Sequence, residues 1–153
     1  MVILGISWCK KQKKGIKLMK TNETLAKEYM QASEETLTVL KDSTKKSRMW
    51  QATTKYYAEY FATYAMLMKL GIKSEIHECT IELAKILEKE KILPKGFSKE
   101  LEQDKELRID NQYYLKNKEV KIEYDKLLTQ ILKIKEKINN ITLEEINNIR
   151  KQI

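Results

Sequence analysis

The segment VKIEYDKLLTQILKIKEKINNI, residues 120–141, places Val120, Tyr124, Leu127, Ile131, Ile134, Ile138 and Ile141 at alternating steps of four and three. This spacing returns an apolar side chain to one helical face at each turn. Its persistence over three heptads gives a coiled-coil-like seam. A strand would alternate with a period of two, so the segment sets the expectation for the chain: an all-α bundle with no sheet. Beyond Asn139-Asn140, Thr142 and Glu145 have capping-box spacing, and Ile141 and Ile146 are placed for a hydrophobic staple. A last short helix towards Ile153 is expected.

Four more helices precede this seam. The first starts at Thr21 or Asn22 and runs to about Lys41, with Leu25, Tyr29, Ala32, Thr36 and Leu40 as its buried stripe. A polar connection, residues 42–47, leads to a second helix from Arg48 to Leu70, which stops at Gly71. Trp50, Thr54, Tyr57, Phe61, Tyr64, Ala65 and Met68 make it the expected central helix. Ser74 can cap a third helix carrying Ile76, Thr80, Leu83 and Leu87, ended by Ile92-Leu93-Pro94-Lys95-Gly96. Ser98 can start a fourth, reaching about Lys116, with Leu101, Leu107 and Leu115 as apolar anchors. Asp104, Arg108 and Asn111 fall between them at helical spacing, and polar groups on a buried face need partners or a cleft.

A chain of 153 residues with 42% hydrophobic and 34% charged residues, one proline and four glycines suits long helices in a single domain. Cys9 and Cys79 are too few for a disulfide framework and lack metal-ligand spacing, which fits a reduced cytoplasm. The opening Val2-Ile3-Leu4-Gly5-Ile6 is shorter than a signal peptide's apolar region, and no run is long enough to cross a bilayer. Neither secretion nor membrane insertion is expected.

The net charge of +8 is concentrated at the N-terminus, where residues 1–20 hold six lysines and no acidic residue. Lys10, Lys11, Lys13, Lys14, Lys17 and Lys20 form a basic arm, the candidate RNA-binding residues, because such a run attracts phosphate backbones without reading sequence. A solubilising tail is the plainer alternative. Trp8, Ile16 and Leu18 lie among the lysines, so part of the arm is expected to dock on the bundle.

The chain contains no P-loop, no GxGxxG and no GxSxG, and its one histidine, His77, excludes chemistry that needs two from the same chain. No metal and no cofactor are expected. Glu34-Glu35 and Glu144-Glu145 read as solvated helical faces and not as acid-base dyads.

Three blocks carry a resemblance. Tyr56-Tyr57-Ala58-Glu59-Tyr60, the run from Ala65 through Gly71 to His77, and Leu107-Arg108-Ile109-Asp110-Asn111-Gln112-Tyr113-Tyr114 resemble, in order and spacing, the small prokaryotic HEPN proteins. The similarity covers about Lys20 to Asn117, with residues 8–20 looking like the N-terminal extension of an archaeal variant. It implies an antiparallel four-helix HEPN-like core over 21–117, which leaves the basic arm over 1–20 before it and the C-terminal helical extension over 118–153, expected to pack on that core, after it in a single domain. It also implies a homodimer, a minimal nucleotidyltransferase partner of toxin-antitoxin type, and binding or cleavage of RNA. Nuclease members use an arginine, a following polar residue and a histidine four to six positions beyond the arginine. Arg108 resembles that arginine, but Ile109 holds the polar position and Tyr113 or Tyr114 the histidine position. The candidate motif remnant is therefore Arg108, Asp110 and Tyr113.

Metal-independent RNA cleavage needs a group that accepts the 2′-hydroxyl proton near neutral pH, which suits histidine. A tyrosine, with an unperturbed pKa of about 10, is a poor base. The expectation is RNA or nucleotide binding in place of ribonuclease turnover, with a noncatalytic dimeric adaptor as the reading from another class. On the plainer view Arg108, Asp110, Gln112 and Tyr113 form a structural network, His77 packs or caps, and the second-helix aromatics are core and interface.

Overall fold

The computed structural model describes residues 5–153; the apolar opening Val2-Ile3-Leu4 lies outside the described residues. Seven helices are present among them: α1 (Ile6–Lys11), α2 (Glu23–Ser43), α3 (Arg48–Leu70), α4 (His77–Lys89), α5 (Phe97–Gln112), α6 (Tyr124–Asn140) and α7 (Leu143–Lys151). No helix is long and apolar enough to cross a membrane among the described residues.

Local signals set most boundaries. Asn22 accepts from the Leu25 amide to cap α2, and Ser47 accepts from the Trp50 amide to cap α3. Gly71 ends α3 in the left-handed conformation at φ 72°, returning its amide to Leu67 and Met68. Thr142 and Glu145 form the reciprocal capping box of α7. Helix α3 is central and packs against α2, α4, α5, α6 and α7. Leu127, Ile131, Ile134 and Ile138 of α6 are buried, and so is Val120, although it lies before the helix starts.

Several expectations are corrected. The fold has a small sheet: β1 (Lys17–Leu18) pairs antiparallel with β2 (Ile72–Lys73), because the chain after Gly71 runs extended beside the arm. The cysteines are not free thiols; Cys9 and Cys79 form a disulfide that fixes α1 against α4. The α2 stripe is rotated by about one residue, so that Ala26, Met30, Ser33, Leu37 and Leu40 are the buried set. Small side chains let the helices approach closely, and Ser33 Oγ donates to the Ala58 carbonyl at 2.6 Å across the seam. Tyr29, Phe61 and Tyr64 are left half-buried at its margin, and Trp50 is exposed.

Ser74 does not cap α4, whose N-cap position is Ile76, and α5 starts after a left-handed Gly96, with Ser98 inside the helix bonded to Glu88. Helix α5 stops at Gln112, so Leu115 is 72% exposed with φ 51° and is no core anchor. Phe97 and Leu101 supply its fully buried apolar contacts, while Asp104, Lys105, Arg108 and Asn111 are buried beside them. The α3–α5 seam is thus largely polar, and each group in it must find a partner. Asn111 does so by donating to the Arg48 and Lys118 carbonyls and accepting from the Lys118 amide.

The basic arm is ordered against the bundle. Ile16 is buried, whereas Trp8 and Leu18 are exposed. Lys10 Nζ donates to the Gln152 carbonyl and Lys17 Nζ to the Lys10 carbonyl, while Lys11, Lys13, Lys14 and Lys20 are exposed. The junction is locked by Arg150 of α7, whose Nη1 donates to the Met19, Leu70 and Gly71 carbonyls at 2.8–3.1 Å. Arg150 thereby satisfies carbonyls at the α3 C-terminus, where cations are favoured.

Candidate anion site around Arg108

Arg108 is carried inward by α5 and is 8% exposed, facing the aromatic side of α3. Its guanidinium carbon lies 5.0 Å from the Tyr56 ring centre, 5.4 Å from Tyr57 and 5.6 Å from Tyr113. Nη1 donates to Tyr57 Oη at 3.3 Å and Gln112 Oε1 at 3.5 Å, while Nε is buried with no hydrogen-bond partner. No carboxylate pairs with Arg108 among the described residues. Ring faces stabilise the cation through their quadrupoles, but they neither neutralise its charge nor accept the Nε proton.

Of the three residues of the motif remnant, the structure brings Arg108 and Tyr113 together and turns Asp110 elsewhere. Tyr113 meets Arg108 through its ring and is 64% exposed. Asp110 is engaged elsewhere, with its carboxylate paired to Lys118 at 2.7 Å and Lys116 at 3.3 Å. The hydrogen bond from Lys118, with help from Lys116, holds it below the usual aspartate pKa. The turn after α5 brings those lysines back onto Asp110 and leaves Arg108 without it.

His77 enters the neighbourhood instead, although spacing along the chain gave no reason to place it there. Its Nδ1 is 2.7 Å from Tyr56 Oη, and its ring stacks on Tyr60 at 4.5 Å. Tyr56 therefore has Arg108 over its ring and His77 at its hydroxyl. Burial, then the Arg108 and Lys105 charges, push the His77 pKa below its ordinary value. The neutral imidazole is favoured, and Tyr56, whose pKa is raised by burial, remains a phenol able to donate to Nδ1. His77 thus packs within an aromatic cluster without capping α4 by its side chain. Tyr56 was legible as an aromatic position but not as the link between these two groups, because that link depends on how α3, α4 and α5 cross.

Comparison of the chain with protein-family models, with curated proteins and with solved structures finds no match.

Proposed function

We propose that the protein is a HEPN-like, four-helix-cored member of a toxin-antitoxin or nucleotidyltransferase-paired system that binds RNA or nucleotide phosphate without efficient cleavage. The observation that carries this reading is Arg108: a buried guanidinium with an unpartnered Nε and no carboxylate, bordered by tyrosines. A phosphate oxygen supplies the charge and the acceptor that this group lacks, and the exposed Tyr113 ring offers a face for a base. Exposed lysines of the arm add attraction that is independent of sequence. Proton transfer is the weak element, since His77, the one histidine of the sequence, is held by Tyr56.

Binding of a short single-stranded RNA, followed by fluorescence anisotropy at several salt concentrations, tests this. Arg108→Gln should weaken binding about tenfold or more, in line with loss of a charge-assisted contact. Exchanging Lys11, Lys13, Lys14 and Lys20 for Gln should mainly flatten the salt dependence. Equal affinity of wild type and Arg108→Gln rejects the site; strong RNA cleavage by the wild type rejects the noncatalytic part.

A second reading, the dimeric helical adaptor, is favoured by the α2–α3 face, where Val39 is 47% and Trp50 53% exposed beside half-buried Tyr57 and Phe61. Sedimentation equilibrium should show a homodimer that Trp50→Glu disrupts. A monomer at all concentrations counts against this reading.

A further inference from the structure

We propose a binding site for a hard divalent cation, of the Mg²⁺, Mn²⁺ or Ca²⁺ class, between α3 and α5, formed by Glu59, Glu100 and Asp104 with Lys55 as its resident competitor. The site is separate from Arg108 and does not depend on the RNA reading.

The arrangement starts from two pairs of residues four positions apart. Lys55 and Glu59 stack on one face of α3, Glu100 and Asp104 on one face of α5, and the helix crossing brings the four together. One oxygen from each of the three carboxylates lies within 4.8 Å of the others. Lys55 Nζ donates to Glu100 Oε1 at 3.0 Å, to Glu59 Oε2 at 3.3 Å and to Asp104 Oδ2. With every group ionised, one ammonium faces three carboxylates. Among the described residues, the one further cation in ion-pair reach of these three carboxylates is Lys126, 4.0 Å from Glu100 at the exposed rim. Glu59 is 1% exposed, Lys55 4% and Asp104 7%, so the excess negative charge is not dispersed by water around the inner groups.

The second observation is an orphaned atom. Glu59 Oε1 is buried without any hydrogen-bond partner, while its sister Oε2 accepts from Lys55. An unpartnered carboxylate oxygen in such a place calls for a proton or a cation. A groove of about 550 Å³ reaches Glu100, Asp104 and Lys55 from outside; Glu102, Glu106 and Glu119 border it together with Lys118 and Lys121, so an ion and its waters have an entrance of mixed sign that ends in front of the buried Glu59. The donors are all carboxylate oxygens, which suit hard cations that retain waters and not the nitrogen and sulfur preferences of zinc or copper. Both ligand pairs sit on rigid helices, so the oxygens are already gathered. The ammonium of Lys55 supplies the charge an ion would bring, and an ion must displace it.

That competition gives the proposal its test. Mn²⁺ binding to the full chain is followed by electron paramagnetic resonance of the free ion, and by melting temperature in millimolar Mg²⁺ or Ca²⁺ against chelator. Wild type should bind one Mn²⁺ weakly. Lys55→Met, which vacates the centre and leaves three carboxylates, should tighten binding by about tenfold or more and show a larger cation-dependent rise in melting temperature. Glu59→Gln preserves shape while removing one ligand charge, and should abolish the specific binding. If neither wild type nor Lys55→Met takes up Mn²⁺, or if Glu59→Gln binds as well as wild type, the proposal is wrong. In the first case a proton on Glu59 is the whole of the compensation. If Lys55→Met does not fold in chelator, its recovery on adding Mg²⁺ or Ca²⁺ supports the site and failure to recover counts against it.

Discussion

Replacing Cys9 and Cys79 together by alanine is expected to lower stability by about 4 kcal/mol, roughly 10 °C in Tm for a chain of this size. The disulfide spans 70 residues, a loop that contains β1, α2, α3 and β2, so breaking it restores much conformational freedom to the unfolded chain. Both half-cystines are 0% exposed, which means that a thiol cannot attack until the structure opens. Reductant should therefore act slowly on the native protein and rapidly once denaturant has unfolded it. The arm retains other ties, including Met19 N to the Gly71 carbonyl, Glu75 N to the Lys14 carbonyl and the Arg150 contacts. The double variant should keep its helices while α1 becomes susceptible to protease. Thermal melts with and without reductant, joined to limited proteolysis, check this; a loss below about 1 kcal/mol would show that those polar ties alone hold the arm.

The same bond shows where reading by composition fails. Two cysteines do not make a framework, yet one pair suffices for one staple, and the cytoplasmic reading drawn from their scarcity loses its premise. Helix positions were legible wherever a local signal acted: Asn22, Ser47, Gly71 and the Thr142–Glu145 box each set a boundary through bonds to their own neighbours. Faces were less legible. Leu25-Tyr29-Ala32-Thr36 and Ala26-Met30-Ser33-Leu37 have the same periodicity, one residue apart, and side-chain bulk favours the first. Packing chose the second because Ser33 and the alanines of α3 permit close approach, a property of the pair and of neither helix alone. Asp104, Arg108 and Asn111 were correctly conspicuous as polar residues at helical spacing. Their partners were not, since Lys55, Tyr57 and the Arg48 carbonyl lie 49 to 63 residues away in the chain.

Lys55→Met, measured in chelator near neutral pH, is expected to cost about 3–5 kcal/mol, because it removes the one buried cation from three carboxylates that remain in place. The loss should depend on pH in a stated direction. Burial alone would lower the Lys55 pKa, but Glu59 and Asp104 outweigh it and the pKa is raised, so its contribution is fully present below the ordinary value of 10.5 and is lost only as pH rises through the raised one. Lys55 therefore stays charged from acid to neutral pH, and any variation of its contribution there comes from the carboxylates it faces. Glu59 is pushed above its ordinary 4.5, first by burial and then by the Asp104 charge. Its folded state binds a proton more readily than its unfolded state, so the associated stability is present below 4.5 and disappears as pH rises through the folded value. In Lys55→Met that pKa should climb further, since the neighbouring positive charge is gone. Acidification should then protonate Glu59, and the gap to wild type should narrow from neutral to mildly acid pH. Denaturant midpoints of both proteins across that range provide the measurement. A gap that stays constant with pH would mean that the variant loses only the packing of the lysine stem, and that the buried carboxylates are not what Lys55 holds together.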